Sequence, residues 1–194
     1  MTSLAKAIRI SAIFLAAAAD PSLAEDWSAQ LLDRPITLAI PTVFAPVPAF
    51  SDGNAHAAIV EFVPPAETVE AWTQMLTLTA QGGMAEGGEP SDAVMAMAEQ
   101  LASGYGAACP EGLGLQDLGA PALPGASAAF AAWLACDKVG DGGPSEAMVV
   151  LIFSAGDAVY TAQWAERGPQ TAGPPLFDFD HWLPRFEALM TVRL

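Results

Sequence analysis

Ala147 to Phe153 is seven consecutive apolar residues, bounded by glycine-bearing turns. A run that short and that greasy is read as a strand covered on both faces, because a half-exposed strand would alternate with polar residues. It therefore demands a layer of structure on each side of a sheet. Ser154-Ala155-Gly156-Asp157 follows as a hairpin turn, and Val159 to Ala165 returns with Tyr160, Ala162 and Trp164 on one side and Thr161 and Gln163 on the other. A turn this tight joins only antiparallel neighbours.

The remaining periodicities fill in the same sheet. Ala57 to Val63 reads as a strand stopped by Pro64-Pro65, and Trp72 to Thr79 as a second with leucines on one face and threonines on the other. Such a strand is half-buried. Ala126 to Cys136 sets Phe130 and Leu134 against Trp133, and Leu113 to Leu118 suits a short edge strand. Val94, Met97, Leu101 and Tyr105 recur at helical spacing behind Ser91 or Asp92, with Gly104 and Gly106 as stop signals. Phe179, Trp182, Phe186 and Leu189 outline a C-terminal helix. Pro184 suits a first turn and favours a start near Trp182 or Leu183. Residues 25 to 56 are harder: Trp27 to Leu32 suits a helical turn, Ile36 to Ile40 a short strand, and Ser51 to Asn54 a turn among several prolines. The expected class is α+β, an antiparallel sheet of about five to six strands with a central and a C-terminal helix packed on it.

The first 24 residues carry an address. Lys6 and Arg9 precede the apolar run Ile10 to Ala19, and Ser22-Leu23-Ala24 offers small residues for cleavage. This is the layout of a secretory signal peptide, with an apolar run too short to span a bilayer. Cleavage after Ala24 leaves residues 25–194 as one globular domain, periplasmic or secreted, with no membrane insertion. Loss of Lys6, Arg9 and Asp20 takes the formal charge from −15 to −16, and only Arg34, Lys138, Arg167, Arg185 and Arg193 remain basic. No basic stripe for nucleic acid can be assembled from five scattered cations. Cys109 and Cys136 are an even pair bound for an oxidising compartment, so a disulfide is expected.

Two resemblances add to this. The run Val63-Pro64-Pro65-Ala66-Glu67-Thr68-Val69-Glu70-Ala71-Trp72-Thr73 resembles a segment of uncharacterised exported bacterial proteins, in which a proline, a small residue and an acid precede a Trp-Thr pair opening a strand. The order of strands and helices is similar to that of the PsbP-like fold, which implies an antiparallel sheet between helices and hosts binding and assembly factors more often than enzymes. Neither resemblance implies a functional residue.

Chemistry has few places to reside. His56 and His181 are the two histidines, and His181 lies in Asp178-Phe179-Asp180-His181-Trp182. Two carboxylates beside an imidazole can orient a general base or ligate a metal, and Asp178 and Asp180 can equally cap the helix behind them. A two-histidine metal centre would require His56 and His181 to meet in space. Asp137 to Gly143 lacks the alternating oxygen ligands of a calcium loop, no Gly-x-Ser-x-Gly elbow is present, and the glycines from Gly82 to Gly88 lack a following Lys-Ser/Thr. The expectation is a non-catalytic binding or assembly module for a protein or small apolar ligand, without a cofactor, in which one or two of the five tryptophans line a groove. The alternative is a hydrolase or metal-dependent enzyme using His181 with Asp178 and Asp180.

Overall fold

The computed structural model describes residues 25–109, 112–140 and 142–194; the expected signal peptide, residues 1–24, lies outside them. Eleven elements follow one another: β1 (Glu25–Leu31), β2 (Arg34–Ile40), β3 (Phe50–Gly53), β4 (Ala57–Phe62), β5 (Gln74–Gln81), α1 (Pro90–Ala108), β6 (Leu113–Gly119), β7 (Ala128–Cys136), β8 (Ser145–Ala155), β9 (Ala158–Gly168) and α2 (Phe179–Leu189). Seven strands form one antiparallel sheet in the order β3-β4-β5-β9-β8-β7-β6, and β1 and β2 form a separate hairpin. The class is α+β, with more strands than the five to six expected.

The apolar run sits where its composition requires. β8 is flanked by β9 and β7, with Val149, Leu151 and Phe153 in one core and Met148, Val150 and Ile152 in the other. None of the six is more than 3% exposed. The first core is closed by the β1–β2 hairpin, through Ile36, Leu38 and Ile40, and by α2, through Trp182 and Leu189. The second is closed by α1, through Ala93, Val94 and Met97. The β8–β9 turn is two residues long, Gly156-Asp157, with Gly156 at φ +65° as a type II′ hairpin requires. A Cβ there would stand 3.1 Å from the Arg34 guanidinium, so glycine answers a steric need as well as a backbone one.

Four local readings are corrected. Trp27 to Leu32 is not a helical turn: β1 pairs residue for residue with β2, placing the Trp27 ring edge-on to Phe62 at 5.3 Å. The prolines that forbid a long element leave room for β3, a four-residue strand at the sheet's edge that includes the expected turn residues Ser51 to Gly53. α2 starts at Phe179, earlier than Pro184 suggests, because Asp178 caps it and Trp182 packs 6.3 Å from Trp133. Packing and a cap here outweigh the backbone bond that an interior proline removes. α1 ends at Ala108, just before Cys109, with both glycines in its closing turns, and Pro90 rather than a Ser91 or Asp92 cap begins it.

Candidate functional site

The residues around His181 do not converge. Asp178 Oδ1 accepts the backbone N–H groups of Asp180 at 3.1 Å and His181 at 3.3 Å, so its carboxylate closes the exposed amino end of α2. Asp180 is exposed in the first turn. The His181 ring turns instead to β9, where Nε2 lies 2.8 Å from Glu166 Oε2. Arg185, one turn further along α2, donates through Nε to the other oxygen of Glu166 and through Nη1 to the His181 carbonyl at 2.6 Å. Glu166 is thus the hub, a residue no local motif marks because its partners come from another element. Both its oxygens are engaged. Trp164 and Trp182 lie 5.6 and 5.7 Å from the Arg185 guanidinium, so the cluster anchors α2 to the sheet. His56 bonds through its backbone to Asn54 and Gly82, with no contact joining it to His181. Among the described residues no group of three His, Cys, Asp or Glu side chains is placed to hold a metal ion.

A second cluster does the same for α1. Tyr105 Oη donates to Glu146 Oε1 at 2.7 Å, and Arg167 Nε donates to Glu146 Oε2 at 2.8 Å while its guanidinium covers the Trp72 ring at 3.8 Å. Burial, helped by the Glu146 carboxylate, holds the Tyr105 phenol far above its ordinary titration range. Just beyond α1, Cys109 is joined to Cys136 at the end of β7, with Cα atoms 5.4 Å apart.

Between these attachments α1 does not lie flush. It packs over β7 and β8, touches β9, and makes no substantial contact with β6. Alanines face the gap from both sides, Ala98 and Ala102 from the helix and Ala132 from β7, leaving a groove of about 190 Å³. Phe130 and Ile152 form part of its floor, and Met95 and Leu115 stand at its rim, 43% and 57% exposed. The lining is apolar except for Glu99 and Asp117. A larger cleft of about 640 Å³ lies between the hairpin and β3–β4, beside Trp27. It is wide open, and its polar groups are bound to neighbouring backbone: Asp52 Oδ1 accepts Gly53 N–H, and Asn54 Oδ1 accepts the N–H groups of His56 and Ala57. The other four tryptophans, Trp72, Trp133, Trp164 and Trp182, are at most 9% exposed, and none lines the groove. Its signal in the sequence is the alanine pair Ala98 and Ala102 on a helical stripe that is otherwise large.

The chain matches no protein-family model, and no curated protein matches it. The residues themselves carry the functional reading.

Proposed function

We propose that this protein is an exported, non-catalytic binding module and that its site is the groove between α1 and β6–β8. The observation behind the reading is an apolar slot with two large hydrophobic side chains left in water at its rim. Covering such surface gains roughly 25 cal/mol per Å². Size narrows the ligand. The groove's 190 Å³ is below the roughly 300–1,000 Å³ of sites for drug-sized molecules. It is closer to the roughly 150 Å³ cavity that takes one benzene. It suits a single apolar group, either a small hydrocarbon or a side chain presented by another protein. The basic–apolar–small order of residues 1–24 and the disulfide support export. The PsbP-like order of elements points the same way. The hydrolase reading would have to rest on His181 with Glu166 rather than with Asp178 and Asp180, since Asp178 is engaged by the helix backbone and the His181 ring by Glu166.

Titrating the protein recovered from the extracytoplasmic fraction of cells expressing the full chain with toluene, followed by methyl NMR, tests the reading. Expected are saturable shifts at Leu115, Val150 and Ile152, weakened by Leu115→Gln. Shifts confined to other parts of the molecule, or none, would overturn it.

A further inference from the structure

We infer that the groove's physiological occupant is an extended, basic segment of another polypeptide, added to the sheet as an eighth strand beside β6. The inference rests on the groove reading above. The sheet has two ends, and they differ. β3 is four residues long, follows Pro46 and Pro48, and ties its own backbone to Asp52. Short length, nearby proline and inward-turned polar groups are the usual ways an edge is closed to further pairing. β6 is seven residues long, its only strand neighbour among the described residues is β7, and Leu113, Gly114, Leu115 and Gln116 carry no charge. Its single irregularity lies between Asp117 and Gly119, at the groove's rim, where Asp117 Oδ1 accepts the Gly119 N–H at 2.6 Å and Gln116 Nε2 donates to the Asp117 carbonyl at 3.0 Å, so the edge is closed from Asp117 onward. Along residues 113–116, of which Leu115 borders the groove, the outer backbone groups have no backbone partner among the described residues.

The pleat then connects edge and groove. Leu115 stands opposite Leu134, and Leu134 opposite Met148, all on the face that α1 covers. Directly paired residues in adjacent strands share a face, so a residue added opposite Leu115 would point to that side, into the slot bordered by Leu115 and Met95. Backbone bonds would supply affinity and the slot selectivity for an apolar side chain at alternate positions.

Charge identifies the strand. The groove's polar rim is Glu99 and Asp117, both exposed, and no basic residue lines it. A second copy of this chain would bring the same acids to the same rim and a formal charge of −15 to another −15. Self-pairing is therefore repelled, while a segment with lysine or arginine two residues to either side of its apolar anchor, and so on the anchor's own face, is attracted and steered in.

The test uses a labelled Thr-Lys-Thr-Leu-Thr-Lys-Thr peptide, whose lysines share the leucine's face, the exported protein, and anisotropy with amide hydrogen exchange. Expected are slowed exchange at residues 113–116, and loss of binding by about tenfold or more when one alternating set of peptide amides is N-methylated but not the other. Replacing the lysines with glutamates should abolish binding, Leu115→Gln should weaken it, and Glu99→Gln should flatten its salt dependence. Binding insensitive to N-methylation, with no protection in β6, would overturn strand addition and show only attraction of a cation to an acidic protein. Absence of peptide binding while toluene still shifts the groove methyls would overturn this inference and leave the groove reading standing. If toluene also fails, both fall.

Discussion

Removing the Cys109–Cys136 bridge should cost about 3.5 kcal/mol. The cysteines are 27 residues apart, and in the chain-entropy model a loop of that length, opened in the unfolded state, restores about 12 cal/mol/K. For a domain of this size each kcal/mol moves Tm by about 2–4 °C, so the midpoint should fall by about 7–14 °C. Both cysteines are buried, at 4% and 0% exposure, so alanine rather than serine is the suitable replacement: a hydroxyl there would add a desolvation penalty. Guanidinium unfolding followed by tryptophan fluorescence should compare oxidised wild type, reduced wild type and Cys109→Ala/Cys136→Ala. If loop entropy is the cause, the reduced protein and the double variant lose similar amounts. In the folded state the damage should stay local, with faster amide exchange in the last turn of α1, because Val94, Met97 and the Tyr105–Glu146 bond still hold the helix. A loss below about 1 kcal/mol in both forms would refute the loop-entropy reasoning. A loss in the alanine variant alone would assign the effect to packing of the sulfurs.

Three further outcomes are expected. Leu151→Ala, at a fully buried position in the central strand, should lower stability by about 2–5 kcal/mol in the same assay, whereas a change under about 1 would contradict the two-sided burial of β8. Asp178→Ala should cost about 1 kcal/mol through the lost cap and leave the rest of the fold unchanged by circular dichroism. Burial raises the phenol pKa of both tyrosines, first by desolvation and then by nearby carboxylates, Glu146 for Tyr105 and Asp33 for Tyr160. The folded state therefore holds protons that the unfolded chain releases above about pH 10. The stabilisation is fully present below that pH and is lost above it, at up to about 1.4 kcal/mol per pH unit for each tyrosine. Absorbance at 295 nm should show the Tyr105 tyrosinate only as the chain unfolds and that of Tyr160 later than in a free tyrosine; both titrating near pH 10 in the folded protein would refute the assignment.

The part of the fold that was legible is the part whose pattern is set by burial alone. Ala147 to Phe153 declares a doubly covered strand because both faces must be apolar, and Leu76 and Leu78 against Thr77 and Thr79 declare a half-covered one. What stayed hidden depends on partners distant in the chain. β1 contains Asp26, Ser28 and Gln30 and has little propensity signal of its own, and it is a strand because β2 offers it a full register of partners. The start of α2 turns on one side-chain cap and on the burial of Trp182 against Trp133, neither of which outranks a proline in a local reading.

The site was illegible for a related reason. A search for chemistry looks for side chains that are present in a suggestive cluster, and Asp178, Asp180 and His181 form one along the chain. In space Asp178 is taken up by a helix end and His181 by Glu166, which stands 15 residues from it, while Asp180 stays exposed. The groove is the opposite kind of feature, produced by side chains too small to fill a gap. Ala98, Ala102 and Ala132 look like ordinary helix and strand fillers until α1 is seen to stop short of β6. That shortfall exposes Leu115 and the uncharged start of the sheet's longer edge together. Filling the gap distinguishes function from imperfect packing. Ala102→Leu should stabilise the fold if the groove is merely a void, since added apolar contact costs nothing there. If the groove is a site, the same variant should keep or raise Tm while losing both the toluene shifts and the peptide binding. A variant that gains stability and still binds both probes would place the site elsewhere.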